Sequence, residues 1–331
     1  MRKIIKFNEK TPTFISHGSV GGYEEGRGPL GENFDFCDPT DKFGMKTFEA
    51  AEAELGRLAL NFALKKASLF PESLDALLAG DLENQCVASS SGLYTFGIPY
   101  IGLYSACSTC TEALLLLSSL INSGAVDKGA TVTTSHNSAA ERQFRTPIEY
   151  GGQRTPTAQW TATAGGAFIL GGSGRVKITE GMIGKIVDGL TVDPSNMGAA
   201  MARSAYDSIY TYFSLADTDI SNFDYLVTGD LGYIGSEILS ELLYKENSSL
   251  AEKHIDCGTL LYDREKSDVH GGASGCGCSA SVLATHFLPL LEKREIKNIL
   301  FMSTGALMSP GSVMQGENIL GITPLIRITS E

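Results

Sequence analysis

The chain has 331 residues, 43% hydrophobic and 19% charged, a balance that excludes a mainly disordered protein and provides enough apolar mass for a large core. Its 26 basic and 38 acidic side chains give a net charge of −12, which argues against nucleic acid or an anionic membrane surface as the main partner. Seven cysteines, an odd number in a chain of this size, favour a reducing compartment over a disulfide-stapled secreted fold.

Hydrophobic stretches give no sign of a membrane segment. The first residues are basic but lack the apolar core of a signal peptide. The longest strongly apolar stretch, 113–121, is interrupted by Ser118 and Ser119 and is far shorter than the ~20 residues of a membrane span. We therefore expect a soluble chain with neither a signal peptide nor a transmembrane span.

Strand and helix patterns alternate along the chain. This alternation is typical of βαβ units and predicts a mainly parallel sheet. The helix at 109–122 is apolar on nearly every face, so we expect it to be buried all round. In chain order the sequence predicts helix 47–66, a short strand within 74–82, helix 109–122, strand 130–135, helix 198–213, a short strand within 223–231, helix 279–291 and strand 298–304.

The chain contains an internal repeat. The run 74–82 (LDALLAGDL) matches 223–231 (FDYLVTGDL) at five of nine positions, and both end in Gly-Asp-Leu. Downstream, 105–107 (SAC) and 274–276 (SGC) each open a buried helix. Two such helices between two sheets give a layered α-β-α-β-α block. We predict two halves, 1–172 and 173–331, with an unmatched insertion at 138–164 in the first half, and insertions of this kind usually carry function or an interface.

Cysteines lie at the predicted starts of both buried helices. At a helix start, unpaired N–H groups lower a thiol pKa or bind an anion, which makes Cys107 a candidate nucleophile or ligand contact. A small buried core residue is the alternative interpretation. Cys107 and Cys110 also have the spacing of a redox pair, and together with Cys276 and Cys278 they supply four thiols for zinc, but neither spacing is specific.

Polar residues after the strand at 130–135 form a second group of candidates. His136 and Asn137 follow the strand end, where parallel sheets present site residues, although a hydrogen-bonded structural histidine is the alternative. Arg142 and Arg145 lie in the insertion, where clustered arginines in an acidic protein favour an anion contact or an ion pair at a subunit interface. The glycine-rich turn at 270–275 is a candidate pocket rim.

These motifs resemble the thiolase superfamily, which includes the ketoacyl synthases, and more closely the stage V sporulation protein AD family. The resemblance spans essentially the whole chain. It implies an α/β, thiolase-like, five-layered fold of two pseudo-symmetric halves and a homodimer. The motifs that carry it are 104–109 (YSACST), 135–145 (SHNSAAERQFR), 149–153 (EYGGQ), 228–231 (TGDL), 271–276 (GGASGC) and 303–310 (STGALMSP).

The resemblance also implies a function. Members of this family are expected to bind dipicolinic acid (pyridine-2,6-dicarboxylate) and to support its uptake into the developing spore. Their expected partners are the other SpoVA membrane proteins, at the spore inner membrane. We expect no cofactor and no dedicated metal site, with Ca²⁺ as a possible companion of the ligand.

Two positions depart from the condensing enzymes. Gly229 and Gly272 stand where those enzymes place donors that stabilise an oxyanion, so we expect condensing activity to be lost. The binding hypothesis uses these glycines, with Gly305, to open space for a flat dianion. The alternatives are a Cys107-dependent acyltransferase or condensing enzyme acting on acyl-CoA or acyl-carrier-protein thioesters, and a structural scaffold. The candidate ligand-binding residues are Cys107, His136, Asn137, Arg142, Arg145, Gly229, Asp230, Gly272 and Gly305.

Overall fold

Strands with buried, β-branched and small residues alternate with helices along both repeats. The computed structural model describes residues 2–144 and 154–331. Within these residues the strands are β1 (Ile5–Lys6), β2 (Thr13–Gly21), β3 (Phe36–Cys37), β4 (Ala76–Gly80), β5 (Tyr100–Gly102), β6 (Gly129–Ser135), β7 (Trp160–Thr161), β8 (Ala164–Gly171), β9 (Val176–Met182), β10 (Val187–Asp188), β11 (Tyr225–Thr228), β12 (His254–Asp256), β13 (Ala273–Ser274), β14 (Asn298–Met302), β15 (Gly305–Leu307), β16 (Leu320–Ile322) and β17 (Leu325–Ser330).

Capping residues fix both ends of the long second helix. Thr47 accepts a hydrogen bond from the amide of Ala50 at the start of the second helix, and Ser68 ends that helix in a left-handed conformation. A π-helical turn, Leu283–Phe287, joins α10 (Cys276–Val282) to α11 (Leu288–Glu292). The helices are α1 (Tyr23–Arg27), α2 (Phe48–Ala67), α3 (Val87–Leu93), α4 (Thr109–Asn122), α5 (Asn137–Phe144), α6 (Met197–Leu215), α7 (Gly232–Glu246), α8 (Ser248–Glu252), α9 (Cys257–Leu260), α10 (Cys276–Val282), α11 (Leu288–Glu292) and α12 (Pro310–Met314).

One strand order occurs twice in the large sheet. In the first half the order is β5-β4-β6-β8-β2, and in the second half it is β12-β11-β14-β17-β9. Numbered within its own half, each set reads 3-2-4-5-1. The two sets meet where Thr13 of β2 pairs with Lys177 of β9. This matching order is what an internal duplication predicts.

Strand directions are also repeated, but they are mixed. β4 runs parallel to β5 and β6, whereas β8 runs antiparallel to both β6 and β2. The second half has the same two parallel and two antiparallel pairs. The prediction of a mainly parallel sheet is therefore wrong, because β8 and β17, the last strands of the two half-sheets, each run antiparallel to both of their neighbours.

Three apolar cores separate five layers. In β4, Leu77 faces the core beneath α2, while Leu78 on the opposite face joins the central core around α4. In β11, Val227 joins the same central core, whereas Leu226 faces α6 and α7. The layers are α2 and α3, the first half-sheet, α4 and α10, the second half-sheet, and α6 and α7. This is the predicted α-β-α-β-α arrangement.

The central helix α4 matches its predicted bounds but is not buried on every side. Leu114 and Leu117 are fully buried, whereas Leu116 is 39% exposed. The segment between β8 and β9 includes the proposed boundary at residue 172, which stays a prediction. Among the helices of the described residues, none is both long and apolar enough to cross a membrane.

Candidate functional site

The buried helices α4 and α10 begin side by side, next to the carboxyl ends of strands from both half-sheets. β4, β6, β11 and β14 end at this edge of the double sheet, and Asp81, His136 and Asp230 follow three of these ends within one or two residues. Cys107 and Cys276, which precede or begin α4 and α10, pack with Leu82 and Ala140 in one small cluster. The duplication therefore brings equivalent helix starts from both halves together, as expected for a site between them.

Cys107 lies in a tight turn just before α4. Ala106 adopts a left-handed conformation, with φ of 49°, and the Ser108 hydroxyl donates to the Ser105 carbonyl at 2.7 Å. Gly305 lies close behind this turn, since a Cβ there would be 2.9 Å from the Ser105 carbonyl oxygen. The turn holds Cys107 in place and leaves only 7% of it exposed.

Asp230 is the charged partner of Cys107. Its carboxylate accepts hydrogen bonds from the Thr304 hydroxyl at 2.6 Å, from the Gly275 amide at 3.2 Å and from the Cys107 thiol. Burial raises the pKa of Asp230 to about 6, and these three donors limit the rise. Gln159 donates to the Asp230 main-chain carbonyl at 2.6 Å, so the insertion helps to position this residue.

The environment of Cys107 keeps its thiol protonated. Burial and the neighbouring Asp230 carboxylate raise the thiol pKa well above its ordinary value. The expectation that the helix start lowers this pKa is therefore wrong, because desolvation and a nearby negative charge outweigh the helix dipole. A thiol is a far weaker nucleophile than a thiolate.

Three more carboxyl groups, absent from the predicted site, lie next to this cluster. Glu52 of α2, Asp81 and Glu83 are all fully buried. Asp81 accepts hydrogen bonds from the amides of Glu83 and Ser89 and from the Ser89 hydroxyl. Both oxygens of Glu83 and one of Glu52 meet no donor in the described chain, apart from a proton that the two carboxyl groups share. We call Glu52, Asp81 and Glu83 the acidic trio.

A short chain of contacts links the acidic trio to the cysteine cluster. The Cys276 thiol donates to the Thr134 carbonyl at 2.9 Å, and the Thr134 hydroxyl donates to Glu52 at 3.0 Å. Burial and the mutual repulsion of the carboxylates raise the pKa of Glu52 well above its ordinary value and that of Glu83 to about 7. Cys276 therefore lies between Cys107, whose thiol bonds Asp230, and Thr134, which bonds Glu52 of the acidic trio.

His136 and Asn137 are engaged in local structure rather than with Cys107. His136 is fully buried; its Nε2 lies 2.7 Å from the Asp41 carbonyl oxygen and its ring packs against Phe48. Burial lowers the pKa of His136, so the ring is neutral. The Asn137 side chain donates to Glu141 and to the Thr161 carbonyl. These contacts of His136 agree with the alternative interpretation, a hydrogen-bonded structural histidine.

The positively charged side chains predicted for the site are not seen next to Cys107. Arg142 is exposed, pairs with Glu49 at 3.3 Å and lies over the ring of Phe48. Arg145 falls outside the described residues. His270 bonds the Thr155 carbonyl and pairs with Asp268, so it is not positioned as a base for Cys107.

The glycines of the site allow close packing and do not open a cavity. A Cβ on Gly229 would be 2.8 Å from Ser303 Cα, and one on Gly272 would be 2.8 Å from the Gly258 carbonyl oxygen. Gly272 also has a φ of 93°, which side-chain-bearing residues rarely adopt. The expectation that these glycines leave space for a ring is therefore wrong. Cys107 does not line the surface clefts beside α3, beside α7 or at the join of the two halves.

The thiols do not form a metal or disulfide centre within the described residues. All seven cysteines are free, and no group of three or more His, Cys, Asp or Glu side chains there has a metal-binding arrangement. Both Cys110 and Cys278 point into the central core, where burial raises their pKa. The spacing of these cysteines is explained by helix packing.

Solved structures with the same architecture are condensing enzymes. OleA of Xanthomonas campestris matches with a TM-score of 0.61 at 11% identity, over 97% of this chain and 99% of that one. The 3-oxoacyl-(acyl-carrier-protein) synthase III of Aquifex aeolicus matches with a TM-score of 0.57 at 13% identity, over 95% of this chain and 99% of that one. The fold is thus that of the thiolase-like proteins.

Sequence comparison narrows this class. The family model for stage V sporulation protein AD (SpoVAD) matches residues 2–329. Stage V sporulation protein AD of Bacillus subtilis (strain 168) is 38% identical over 310 residues, which cover 93% of this chain and 91% of that protein. The chain belongs to the stage V sporulation protein AD family.

Proposed function

We propose that this protein binds dipicolinic acid at the Cys107 cluster and supports its uptake into the developing spore. The observation that carries the proposal is the position of Cys107, a protonated thiol just before a buried helix, bonded to the Asp230 carboxylate and packed against Cys276 of the other half. Family membership supports the biological setting. The other SpoVA proteins at the spore inner membrane are the proposed partners.

The site favours binding over catalysis. A condensing reaction needs a thiolate and a base or donor near the reacting carbonyl. Here Asp230 holds Cys107 as a thiol, and both His136 and His270 are bonded to other groups. We therefore propose that the chain is not an enzyme, although its structural neighbours are.

The charges at the site indicate which form of the ligand binds. Asp230 and the acidic trio repel a bare dicarboxylate, because like charges in a poorly solvated site interact strongly. A dicarboxylate that chelates Ca²⁺ is neutral overall and leaves coordination positions open. Calcium prefers carboxylate oxygens, and those of Glu83 meet no donor in the described chain apart from the proton shared with Glu52. We propose that the ligand is the calcium chelate and that Asp81 and Glu83 face its metal.

Access to Cys107 requires movement of the loop that covers it. Leu82 packs on Cys107, and in the same loop Gln85 and Cys86 both adopt left-handed conformations, with φ of 58° and 55°. Each such residue costs about 1 kcal/mol. Contacts that hold the loop closed, and that its movement would break, include the Asn84 amide bond to Gln143 at 2.8 Å and the Cys86 thiol bond to the Leu103 carbonyl at 2.9 Å. We propose that this loop moves when ligand enters.

Titration calorimetry tests the ligand. We expect saturable binding of dipicolinate with equimolar Ca²⁺, much weaker binding of dipicolinate with a chelator, and none of isophthalate, which lacks the ring nitrogen. Asp81→Asn should weaken binding about tenfold, the equivalent of losing one charged contact. Asp127→Asn, at an exposed carboxylate paired with Lys10, is the matched control and should bind like the parent. Equal affinity in Asp81→Asn, or tighter binding without Ca²⁺, would contradict the proposed ligand form.

Acyl transfer is tested separately. After incubation with acetyl-CoA at pH 7, we expect no acetyl group on Cys107, because its pKa lies well above that pH. Intact mass and peptide mapping make the measurement, and the half-buried Cys37 serves as an internal comparison for nonspecific reaction. A stoichiometric adduct confined to Cys107 would instead support the condensing-enzyme alternative.

We also propose a homodimer formed along β5. Among residues 2–144 and 154–331, β5 pairs with β4 on its inner side alone, so its outer edge offers main-chain groups for pairing. All three of its residues are exposed, and Val87, Tyr94 and Tyr104 extend an apolar surface beside it. A second copy can pair with this edge about a twofold axis and cover that surface.

A further inference from the structure

A cleft of about 550 Å³ lies where the two halves join, at the opposite edge of the sheet from Cys107. Its floor is the segment between β8 and β9, and its walls include Arg175, Lys177 and Arg294. This segment lies beside the start of β6, since a Cβ on Gly171 would be 3.5 Å from the Lys128 side chain. β6 has seven residues, which places the cleft roughly 20 Å from the site edge.

Positive charge dominates this cleft although the chain as a whole is acidic. Three cationic side chains line it against one carboxylate, Glu331, which pairs with Lys177 at 2.6 Å. Within the described residues, Arg175 and Arg294 have no ion pair or hydrogen-bond partner for their guanidinium groups. The net charge of −12 does not cancel this local field, because charges beyond about 8 Å are screened at physiological salt.

The floor of the cleft is rigid and open to a ligand. The Thr13 hydroxyl donates to the Gly171 carbonyl at 2.8 Å and accepts from the Gly174 amide at 2.6 Å. Gly174 must be glycine, since a Cβ there would be 2.0 Å from the Phe14 carbonyl oxygen. At Gly172, by contrast, a Cβ would meet nothing within 4 Å, so a ligand can approach the main chain there.

We propose that this cleft binds a phosphate group. Guanidinium groups present paired N–H donors that match phosphate oxygens, and two of them here have no other partner. Lys177 adds a point charge, and the open main chain at Gly172 accommodates the bulk of the anion. The group can belong to a lipid headgroup or to a free phosphate compound, and this site is separate from the one proposed for dipicolinate.

Two binding experiments with the full chain distinguish these sources. Inorganic phosphate is titrated by calorimetry, and vesicles of phosphatidylglycerol are compared with vesicles of phosphatidylcholine in a flotation assay. Arg175→Ser combined with Arg294→Ser should weaken binding about tenfold or more in whichever assay shows it. Lys65→Ser combined with Lys245→Ser, at exposed positions away from the cleft, makes the same change in net charge and should bind like the parent.

The outcomes are distinct. Binding of phosphate without vesicle binding supports a free phosphate compound as the ligand, and vesicle binding that the arginine variant loses supports a lipid headgroup. Each supporting result should weaken with added salt. Absence of binding in both assays, or an equal loss in both double variants, overturns the proposal. Circular dichroism of the arginine variant shows whether any loss of binding comes from unfolding.

Discussion

Glu52→Gln is expected to raise the melting temperature at pH 8 and to leave it nearly unchanged at pH 5. Glu52 is buried beside Asp81 and Glu83, and only one of its oxygens meets a donor, the Thr134 hydroxyl. A glutamine keeps the shape and can donate its amide N–H to Glu83. The substitution therefore removes one of three mutually repelling carboxylates and satisfies another.

The direction of the pH effect follows from the raised pKa values. The folded chain holds protons on Glu52 and Glu83 that the unfolded chain releases near pH 4.5, since folding raises the pKa of Glu83 to about 7 and that of Glu52 well above its ordinary value. This contribution to stability is complete below pH 4.5 and is lost as the pH rises through the folded-state values. We expect the gain at pH 8 to be about 1–3 kcal/mol, the usual cost of an unsatisfied buried polar group.

Thermal unfolding followed by circular dichroism between pH 5 and pH 8 makes this measurement. Glu72→Gln is the control, because Glu72 is exposed and belongs to no such cluster. The parent should lose stability as the pH rises, and the Glu52→Gln profile should be flatter. A variant that is less stable than the parent at pH 8 would show that the acidic trio stabilises the fold, contrary to this account.

Ile101→Arg is expected to convert the protein from the proposed dimer to a monomer. Ile101 lies in the middle of β5 and is 44% exposed, and its neighbour Tyr100 is 40% exposed. In an antiparallel pairing about a twofold axis, each copy places its arginine close to the other copy's arginine. Like charges in such positions oppose strand pairing, and the apolar surface loses its cover.

Light scattering coupled to gel filtration gives the mass directly. The parent should have twice the chain mass of 35.3 kDa, and Ile101→Arg should have the chain mass. Tyr244→Arg is the matched control, since Tyr244 is 68% exposed on α7, away from β5, and should leave the dimer intact. A parent that is monomeric at micromolar concentration, or a dimeric Ile101→Arg, would place the interface elsewhere or remove it.

Local patterns predicted several elements and the duplication, but not the strand directions. Helix 109–122 coincides with α4, and the strand predicted at 130–135 differs from β6 by one residue. The repeated Gly-Asp-Leu ends correctly indicated a duplication. The antiparallel strands were missed because strand direction depends on how the chain returns to the sheet, which hydrophobic periodicity does not report.

The site was predicted less well, because its chemistry depends on burial and on partners distant in sequence. Cys107 and Asp230 do meet, but the raised pKa of Cys107 comes from desolvation, which its local sequence does not reveal. His136 was predicted as a site residue from its position after a strand. Its ring instead hydrogen bonds the main-chain carbonyl of Asp41, 95 residues away. Asp81 was not predicted as a site residue, although the sequence contains a signal for it, because Asp81 occupies the same position in the first repeat as Asp230 does in the second.

The correspondence between Asp81 and Asp230 bears on the shape of the proposed ligand. Asp81 and Asp230 each follow the second strand of their half, and Cys107 and Cys276 each stand at the start of a buried helix. An approximate dyad therefore relates the two sides of the cluster and presents the same pair of functional groups to the centre from opposite directions. Dipicolinate has its own dyad through the ring nitrogen, with identical carboxylates on either side. A duplicated half-site thus suits a molecule whose two ends are alike.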